Sequence, residues 1–198
     1  ASHLVGEEEP AIEGRIVTDP GRPTTLKTRF VSGGQQLLRV DFEESRPVTG
    51  KAEQRLTQTI RAAARGAGVI LISDYGKGVV TDAVIAAARE TAAETGAKVI
   101  VDSKARSFAR YGEVDLVKPN ASELAYATDL PTETDAEVEA AIARVLELWA
   151  TRGVLVTRAA RGVSLGLRGQ PVRHFRTTAR EVFDASGAGD TALAALGI

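Results

Sequence analysis

Residues 69–104, which read VILISDYGKGVVTDAVIAAARETAAETGAKVIVDSK, decide the fold class. Two short apolar runs, at residues 69–73 and 98–102, have the length and composition of buried strands. A helix is predicted between them, at residues 81–95. Strand, helix and strand in this order predict a βαβ unit with two parallel strands.

The same alternation continues on both sides of this unit. Further elements are predicted as strands at residues 115–118 and 154–157, and as helices at residues 51–65, 122–128 and 134–152. This order favours an α/β fold with a mostly parallel sheet that is covered by helices on both faces. Residues 163–167 and 171–176 are expected to add an antiparallel pair near the edge of the sheet.

A hairpin precedes the sheet. Residues 24–31 (TTLKTRFV) and 35–42 (QQLLRVDF) alternate as strands do, and Ser-Gly-Gly between them supplies a turn. An edge hairpin without any ligand role would show the same pattern. We therefore divide the chain into an irregular segment at residues 1–23, the hairpin at residues 24–44 and an α/β core at residues 45–198.

Polar residues follow four of the predicted strands. In a parallel sheet, ligands collect at the carboxyl ends of the strands, so these residues are the first candidates for a site. They are S-D-Y-G-K-G at residues 73–78, D-S-K at residues 102–104, P-N-A-S-E at residues 119–123, and T-R at residues 157–158 with Gly162 beyond.

A glycine-rich turn, DASGAGDT at residues 184–191, precedes a run with the alanine and leucine content of a helix. Gly187, Ala188 and Gly189 let the backbone approach a ligand, and the first N–H groups of the helix would point at an anion. Asp190 is placed to accept a proton from a hydroxyl that attacks phosphorus. The plain alternative is an ordinary loop in which Asp190 is an N-cap.

Together these motifs resemble the ribokinase (PfkB) family of sugar kinases, whose C-terminal signature reads D-x-x-G-A-G-D. The resemblance implies a ribokinase-like three-layer α/β/α sandwich in which the hairpin is a small lid. It also implies ATP as the phosphoryl donor, Asp190 as the catalytic base, and the amides of residues 187–189 as the anion hole for the transferred group.

The resemblance also implies a metal and nucleotide site. Asn120 and Glu123 match the family's N-x-x-E motif, which arranges Mg²⁺ and the nucleotide phosphates, often through water; Mg²⁺ keeps several waters and takes only one or two carboxylates. The same two residues have a plain role as the start of a helix, with Asn120 as its cap. Thr157, Arg158 and Gly162 resemble the family's nucleotide-binding strand end and turn.

Within the family, the chain looks most like the bacterial kinases of D-glycero-β-D-manno-heptose 7-phosphate, although Ser103 stands where Pro is expected. The likeness implies transfer of the ATP γ-phosphoryl group to the anomeric hydroxyl of this sugar phosphate, which gives the 1,7-bisphosphate on the route to ADP-heptose and lipopolysaccharide. Candidate contacts to the sugar phosphate are Lys77 and Lys104, then Arg29 and Arg39 on the hairpin, and Asp74. For each, the alternative is an ordinary surface charge.

Composition limits the partners and the compartment. The 25 Lys and Arg nearly balance the 26 Asp and Glu, for a formal charge of -1, so there is no electrostatic case for nucleic acid or an anionic membrane. No apolar run approaches the roughly 20 residues of a membrane span, and the start does not resemble a signal peptide. The absence of cysteine excludes disulfides and fits a reducing compartment, so we expect a cytoplasmic protein.

Two further expectations concern the extent and the role of the chain. Ribokinase-like chains begin with a strand and a Gly-Gly-Ala-x-Asn turn and continue past the catalytic helix, so we expect the N- and C-terminal parts of the fold to be missing. We also expect the chain alone to bind ATP weakly and to turn over poorly or not at all. The family's lid can also pair subunits, which makes a homodimer plausible. Two alternatives remain open: another sugar, sugar-phosphate or nucleoside kinase of the family, or a truncated oligomerisation module without activity.

Overall fold

The computed structural model describes residues 13–33, 35–177 and 188–197. Its strands are β1 (Leu26–Ser32), β2 (Gln35–Phe42), β3 (Val69–Asp74), β4 (Lys98–Ser103), β5 (Leu116–Val117), β6 (Gly153–Thr157), β7 (Val163–Leu167) and β8 (Arg173–Phe175). Its α-helices are α1 (Gly50–Ala63), α2 (Asp82–Thr95), α3 (Ala121–Thr128), α4 (Asp135–Leu148) and α5 (Ala188–Ala195).

Strands β3 to β8 form one sheet, in the order β3-β4-β5-β6-β7-β8. The first four are parallel, and the βαβ unit is confirmed by its register, in which Val69 pairs with Lys98 and Asp74 with Ser103. Strands β7 and β8 add to the edge in antiparallel fashion. The carboxyl ends of β3 to β6 therefore lie along one edge of the sheet, as the sequence predicts.

Alternate side chains of the parallel strands point to opposite faces. On one face, Val99 and Val101 of β4 belong to a buried core that also contains Ile85 of α2 and Val145 of α4. On the other face, Leu71 of β3 meets α5. Helices thus cover both faces, and each strand is held by apolar burial worth roughly 25 cal/mol per Å² removed from water.

The hairpin of β1 and β2 is a separate two-stranded sheet with an irregular register between Phe30 and Val31. Lys27 pairs with both Asp41 and Glu43, and Glu43 also pairs with Lys77 in the loop after β3. These ion pairs set the charged face of the hairpin beside the carboxyl edge of the main sheet.

Several predicted elements are shorter in the structure, among them the strand predicted at residues 171–176, which is β8 with three residues. The helix predicted to run to residue 152 ends at Leu148, because Trp149 adopts an extended backbone and packs edge-on against Phe108, with ring centroids 5.2 Å apart. Strand β5 has two residues and not four. Among the helices of the residues that the structure describes, none is long and apolar enough to cross a membrane.

Candidate active site

Tyr75 and Asp190 meet at the carboxyl edge of the sheet. Tyr75 directly follows β3, and its hydroxyl donates to Asp190, with distances of 3.0 Å to Oδ1 and 2.9 Å to Oδ2. The hydrogen bond to Asp190, followed by partial burial, raises the pKa of Tyr75 above its usual value. Tyr75 lies in the candidate segment at residues 73–78, but the sequence predicts a role only for Asp190.

The start of α5 has the geometry expected of an anion site. Ala188 and Gly189 begin the helix, and Asp190 lies in its first turn, so it is not the N-cap of the plain alternative. Gly187 lies outside the residues that the structure describes. A Cβ added to Gly189 would stand 3.8 Å from Nζ of Lys118, so an ammonium group lies beside the first turn of α5, whose N–H groups have no partner within the helix.

Lys118 is held by a buried ion pair. Its Nζ is 2.8 Å from Oδ2 of Asp102, and both side chains are almost completely removed from solvent. Oδ1 of Asp102 has no hydrogen-bond partner among the described residues. A buried cation next to a helix start strengthens the attraction for an anion, because little water screens it. Lys118 directly precedes the predicted Pro-Asn motif, and only this adjacency could have indicated it.

Asn120 and Glu123 form a capping box at the start of α3. Oδ1 of Asn120 accepts from the Glu123 amide at 2.8 Å, and Oε2 of Glu123 accepts from the Asn120 amide at 2.8 Å. Oε1 of Glu123 accepts from Nζ of Lys104 at 2.6 Å. Partial burial by itself would lower the pKa of Lys104, but the bond to Glu123 and nearby negative charge outweigh it and raise that pKa.

The donor set fits Mg²⁺ that keeps most of its waters. Each oxygen of Glu123 already accepts one hydrogen bond and retains a lone pair, so the carboxylate can meet a hydrated cation while the capping box persists. Within the described ranges there is no group of three or more His, Asp or Glu side chains that could hold a metal ion. Most of the ligands of a bound Mg²⁺ would therefore be water and nucleotide phosphate.

The predicted nucleotide residues follow β6. Thr157 ends the strand and bridges to Asn120, so the two sites adjoin. The guanidinium of Arg158 is turned inward, with 2% of its side chain exposed; Nη1 lies 2.5 Å from Asp135, and Nε and Nη2 have no partner in the part of the chain described. Gly162 has φ +87°, and a Cβ there would stand 2.0 Å from the carbonyl oxygen of Phe175. This turn offers backbone groups, and not the Arg158 side chain, to a ligand.

The predicted sugar contacts divide into buried and open groups. Asp74 is buried, and its oxygens accept from the Gly76 amide at 2.8 Å and from the Tyr111 hydroxyl at 2.7 Å, so a sugar contact would require it to leave these partners. Lys77 is open to solvent and pairs with Glu43.

Arg29 and Arg39 lie opposite one another across the hairpin. Nε of Arg39 is 3.0 Å from Asp41. Two cations in facing positions repel each other, and an anion between them would remove that repulsion. The structure therefore brings Asp190, Gly189, Lys118, Asn120, Glu123 and Lys104 to one edge, with Lys77 beside it; among the residues described, the contacts of the hairpin arginines stay within the hairpin.

Such an edge suits the transfer of an anionic group, so fold and site together define an α/β phosphotransferase. Residues 13–197 match the pfkB family carbohydrate kinase profile, and the chain belongs to that family. It is similar to the Bifunctional protein HldE of Hyphomonas neptunium (47% identity; 96% of this chain and 39% of that protein). It is also similar to that of Azorhizobium caulinodans (46%; 98% and 43%). The chain thus spans about two fifths of these relatives.

Solved structures give the same fold. Ribokinase of Arabidopsis thaliana, complexed with ribose and ATP, has a TM-score of 0.63 at 22% identity and aligns 82% of this chain with 53% of its own. Phosphofructokinase-2 of Escherichia coli in complex with fructose-6-phosphate has a TM-score of 0.66 at 18% identity, with 87% and 57% aligned. A tetrameric inhibited form of that enzyme is also similar. The ribokinase-like fold is confirmed, and the chain covers just over half of it.

Proposed function

We propose that the chain is the kinase portion of an enzyme that transfers the γ-phosphoryl group of ATP to the anomeric hydroxyl of D-glycero-β-D-manno-heptose 7-phosphate. The observation that carries the kinase proposal is the position of Asp190 in the first turn of α5, directly after Gly189, beside which the Lys118 ammonium lies. The identity to bifunctional HldE proteins and the sequence likeness to heptose 7-phosphate kinases support the acceptor.

In the proposed reaction, Asp190 accepts the proton of the acceptor hydroxyl while the hydroxyl oxygen forms a bond to the γ-phosphorus of ATP. The bond from that phosphorus to the bridging oxygen breaks, and ADP leaves. The amides of residues 187–189 and the ammonium of Lys118 offset the charge of the transferred group. A bound Mg²⁺, held through Glu123 and Asn120, would supply further neutralisation of the nucleotide phosphates.

The phosphate of the sugar would meet cations on the open side of the site. We assign it to Lys77 and Lys104, which follow β3 and β4, with Arg29 and Arg39 on the hairpin as further contacts. Asp74 stays a predicted contact only if it leaves its buried partners. Thr157, Gly162 and the backbone of Arg158 would border the nucleotide.

The test follows ³²P from [γ-³²P]ATP into heptose 7-phosphate, fructose 6-phosphate, ribose and adenosine. Label transfer is chosen because it detects the weak turnover that we expect of the chain alone. Transfer to heptose 7-phosphate that is lost in Asp190→Asn supports the proposal, with a loss of at least about a thousandfold expected for a general base with few substitutes. Transfer to another acceptor would support the proposed kinase activity but contradict heptose 7-phosphate as the acceptor. A folded chain that binds ATP and the acceptors but labels none of them would overturn the kinase proposal.

We further propose that two copies pair through the hairpin. One face of β1 and β2 carries exposed apolar side chains in facing pairs, Leu26 with Phe42 and Phe30 with Leu38. Isolated exposed residues are common, but a contiguous apolar face is typical of an interface.

We also propose that the reaction takes place in the cytoplasm, which the cysteine-free sequence supports.

A further inference from the structure

The contact between Tyr75 and Asp190 reaches both oxygens of the proposed base. The Tyr75 hydroxyl oxygen is nearly equidistant from Oδ1 and Oδ2, at 3.0 and 2.9 Å, so the single proton of the phenol can be shared between the two. In the part of the chain described, no other side chain donates to Asp190. A carboxylate has about four lone-pair positions, so this shared hydrogen bond leaves room for an acceptor hydroxyl.

The backbone at Tyr75 is fixed by its two neighbours in sequence, Asp74 and Gly76. Oδ1 of Asp74 accepts from the Gly76 amide at 2.8 Å, which closes a tight turn around Tyr75, and Gly76 has φ +68°, a conformation that favours glycine. Oδ2 of Asp74 accepts from the Tyr111 hydroxyl, which is itself 2.6 Å from Oγ of Ser103. The buried carboxylate of Asp74 therefore fixes the backbone that carries Tyr75.

Asp190 is fixed less firmly. It is exposed and lies on α5, which packs on β3 with its C-terminal end near Leu71 and its start near Tyr75. The helix is eight residues long, so packing and not helix propensity must hold it in place. The hydroxyl of Tyr75 is the contact that ties the side chain of Asp190 to the rigid edge of the sheet.

We propose that Tyr75 is a positioning residue for phosphoryl transfer: its hydroxyl holds the carboxylate of Asp190 in the orientation that receives the acceptor proton. The proposal rests on the proposed function, because it takes Asp190 to be the base. A base must lie within hydrogen-bond reach of the proton that it removes, so a carboxylate free to rotate would spend less time in productive geometry.

The chemistry keeps Tyr75 a donor throughout. Its pKa is raised above the usual value, so at neutral pH the phenol is protonated and does not take the acceptor proton from Asp190. The proton therefore stops at the carboxylate. Tyr75 makes no bond to the phosphoryl group, and its effect should appear in the rate and not in the binding of the acceptor.

The first test measures the contact without any enzyme assay. The chain has three tyrosines, so [¹³Cζ]tyrosine labelling gives three NMR signals, and the signal missing in Tyr75→Phe belongs to Tyr75. We expect its titration midpoint to fall in Asp190→Ala, because the charge that raises it is gone. Asp129→Ala is the control, because it removes an exposed carboxylate from another surface. The titration midpoint of Tyr75 should stay unchanged in this variant. An unchanged midpoint in Asp190→Ala would overturn the proposal.

The second test is a double-mutant cycle in the label-transfer assay. Tyr75→Phe should lower kcat about tenfold with the acceptor KM within about twofold, the size expected when one hydrogen bond to a charged group is lost. In the Asp190→Asn background the same change should have no further effect. Tyr126→Phe is the matched control, because Tyr126 is 57% exposed against 52% for Tyr75, and it should retain full activity.

The outcomes separate the two proposals. Equal losses from Tyr75→Phe in both backgrounds would mean that Tyr75 acts independently of Asp190, which overturns the positioning role but leaves the kinase intact. A faster Tyr75→Phe with lower acceptor KM would mean that the hydroxyl obstructs the acceptor, which also overturns it. Full activity of Asp190→Asn would remove the proposed base, and the positioning role with it, whatever the titration shows.

Discussion

At the scale of single residues, the Lys118–Asp102 pair joins stability to function. Both charges are buried, and burying an ion costs several kcal/mol unless a partner compensates it. The pair is therefore weak evidence for stability in itself, but the loss of one member leaves the other uncompensated. We infer that the pair is retained for the ammonium that it places beside Gly189.

Lys118→Met should destabilise the chain by about 3–5 kcal/mol, because Asp102 would stay buried without its cation. The measurement is the free energy of unfolding from urea titration. Lys98→Met is the matched control: Lys98 pairs with Asp115 at the surface, where a pair contributes about 1 kcal/mol or less. If the double variant Lys118→Met with Asp102→Asn is no more stable than Lys118→Met alone, the uncompensated charge is not the cause.

Asp135 makes stability depend on pH. Its hydrogen bond with Arg158 holds the pKa of Asp135 below 3.8, the ordinary value that applies in the unfolded chain. The stabilisation is therefore present above about pH 4 and is lost as the pH falls through the lower, folded pKa. Asp135→Asn should flatten the decline of unfolding free energy below pH 4, measured by urea titration at a series of pH values. A slope equal to that of the unaltered chain would contradict this.

The sequence predicts those candidate residues that lie in short motifs with a known chemical role. Asp190 and Glu123 lie in recognisable motifs, and the structure puts both at the expected edge. The role of Tyr75 and the position of Lys118 could not be predicted, because they depend on contacts with Asp190 and Asp102, which lie 115 and 16 positions away, and no local pattern records such distances.

At the scale of elements, two helices begin with the same device. Thr134 and Glu137 form a capping box at α4, as Asn120 and Glu123 do at α3. Each box satisfies two backbone N–H groups that would otherwise lack a partner. Only the box at α3 lies at the carboxyl edge with Lys104. A comparison of the two helix starts can therefore distinguish a capping role from a role in ligand binding.

Asn120→Ala and Thr134→Ala should each reduce the free energy of unfolding by about 1 kcal/mol, because each removes an N-cap side chain. Label transfer should fall only in Asn120→Ala, since only Asn120 adjoins the proposed metal and nucleotide site. Thermal unfolding and the transfer assay, run on the same preparations, decide this. Equal activity of the two variants would leave Asn120 with a capping role alone.

The boundaries of elements depend on tertiary contacts. The periodicity of α4 continues beyond Leu148, but Trp149 leaves the helix to pack on Phe108, which lies 41 residues earlier in the chain. The hairpin is better predicted, because its strands and its Gly-containing turn are local in sequence. Element type therefore follows from sequence here, and element length only in part.

At the scale of the whole molecule, the hairpin has two unlike faces. The charged face joins the main body through Glu43, and the other presents Leu26, Phe30, Leu38 and Phe42 to solvent. A two-stranded ribbon is marginally stable by itself, so a partner on its apolar face would stabilise both copies.

We expect sedimentation equilibrium to give a weight-average mass near twice 20.9 kDa at high concentration. Leu38→Asp should return it to about one chain, because a charge in the apolar face must be desolvated when copies pair. Leu148→Asp is the control, since Leu148 is 44% exposed against 55% for Leu38 and lies at the end of α4. A monomer at every concentration, or a dimer that survives Leu38→Asp, would argue against pairing through this face.

The two lysines that we assign to the sugar phosphate are already occupied by carboxylates, Lys77 by Glu43 and Lys104 by Glu123. Under this assignment, binding of the acceptor would be an exchange of anions, in which the phosphate displaces a carboxylate and each lysine keeps an anionic partner. A neutral sugar has no anionic group that could replace the carboxylates, so both lysines would remain in their ion pairs. The resting ion pairs would thus act as a filter that admits charged sugars, before any contact with the sugar ring is made.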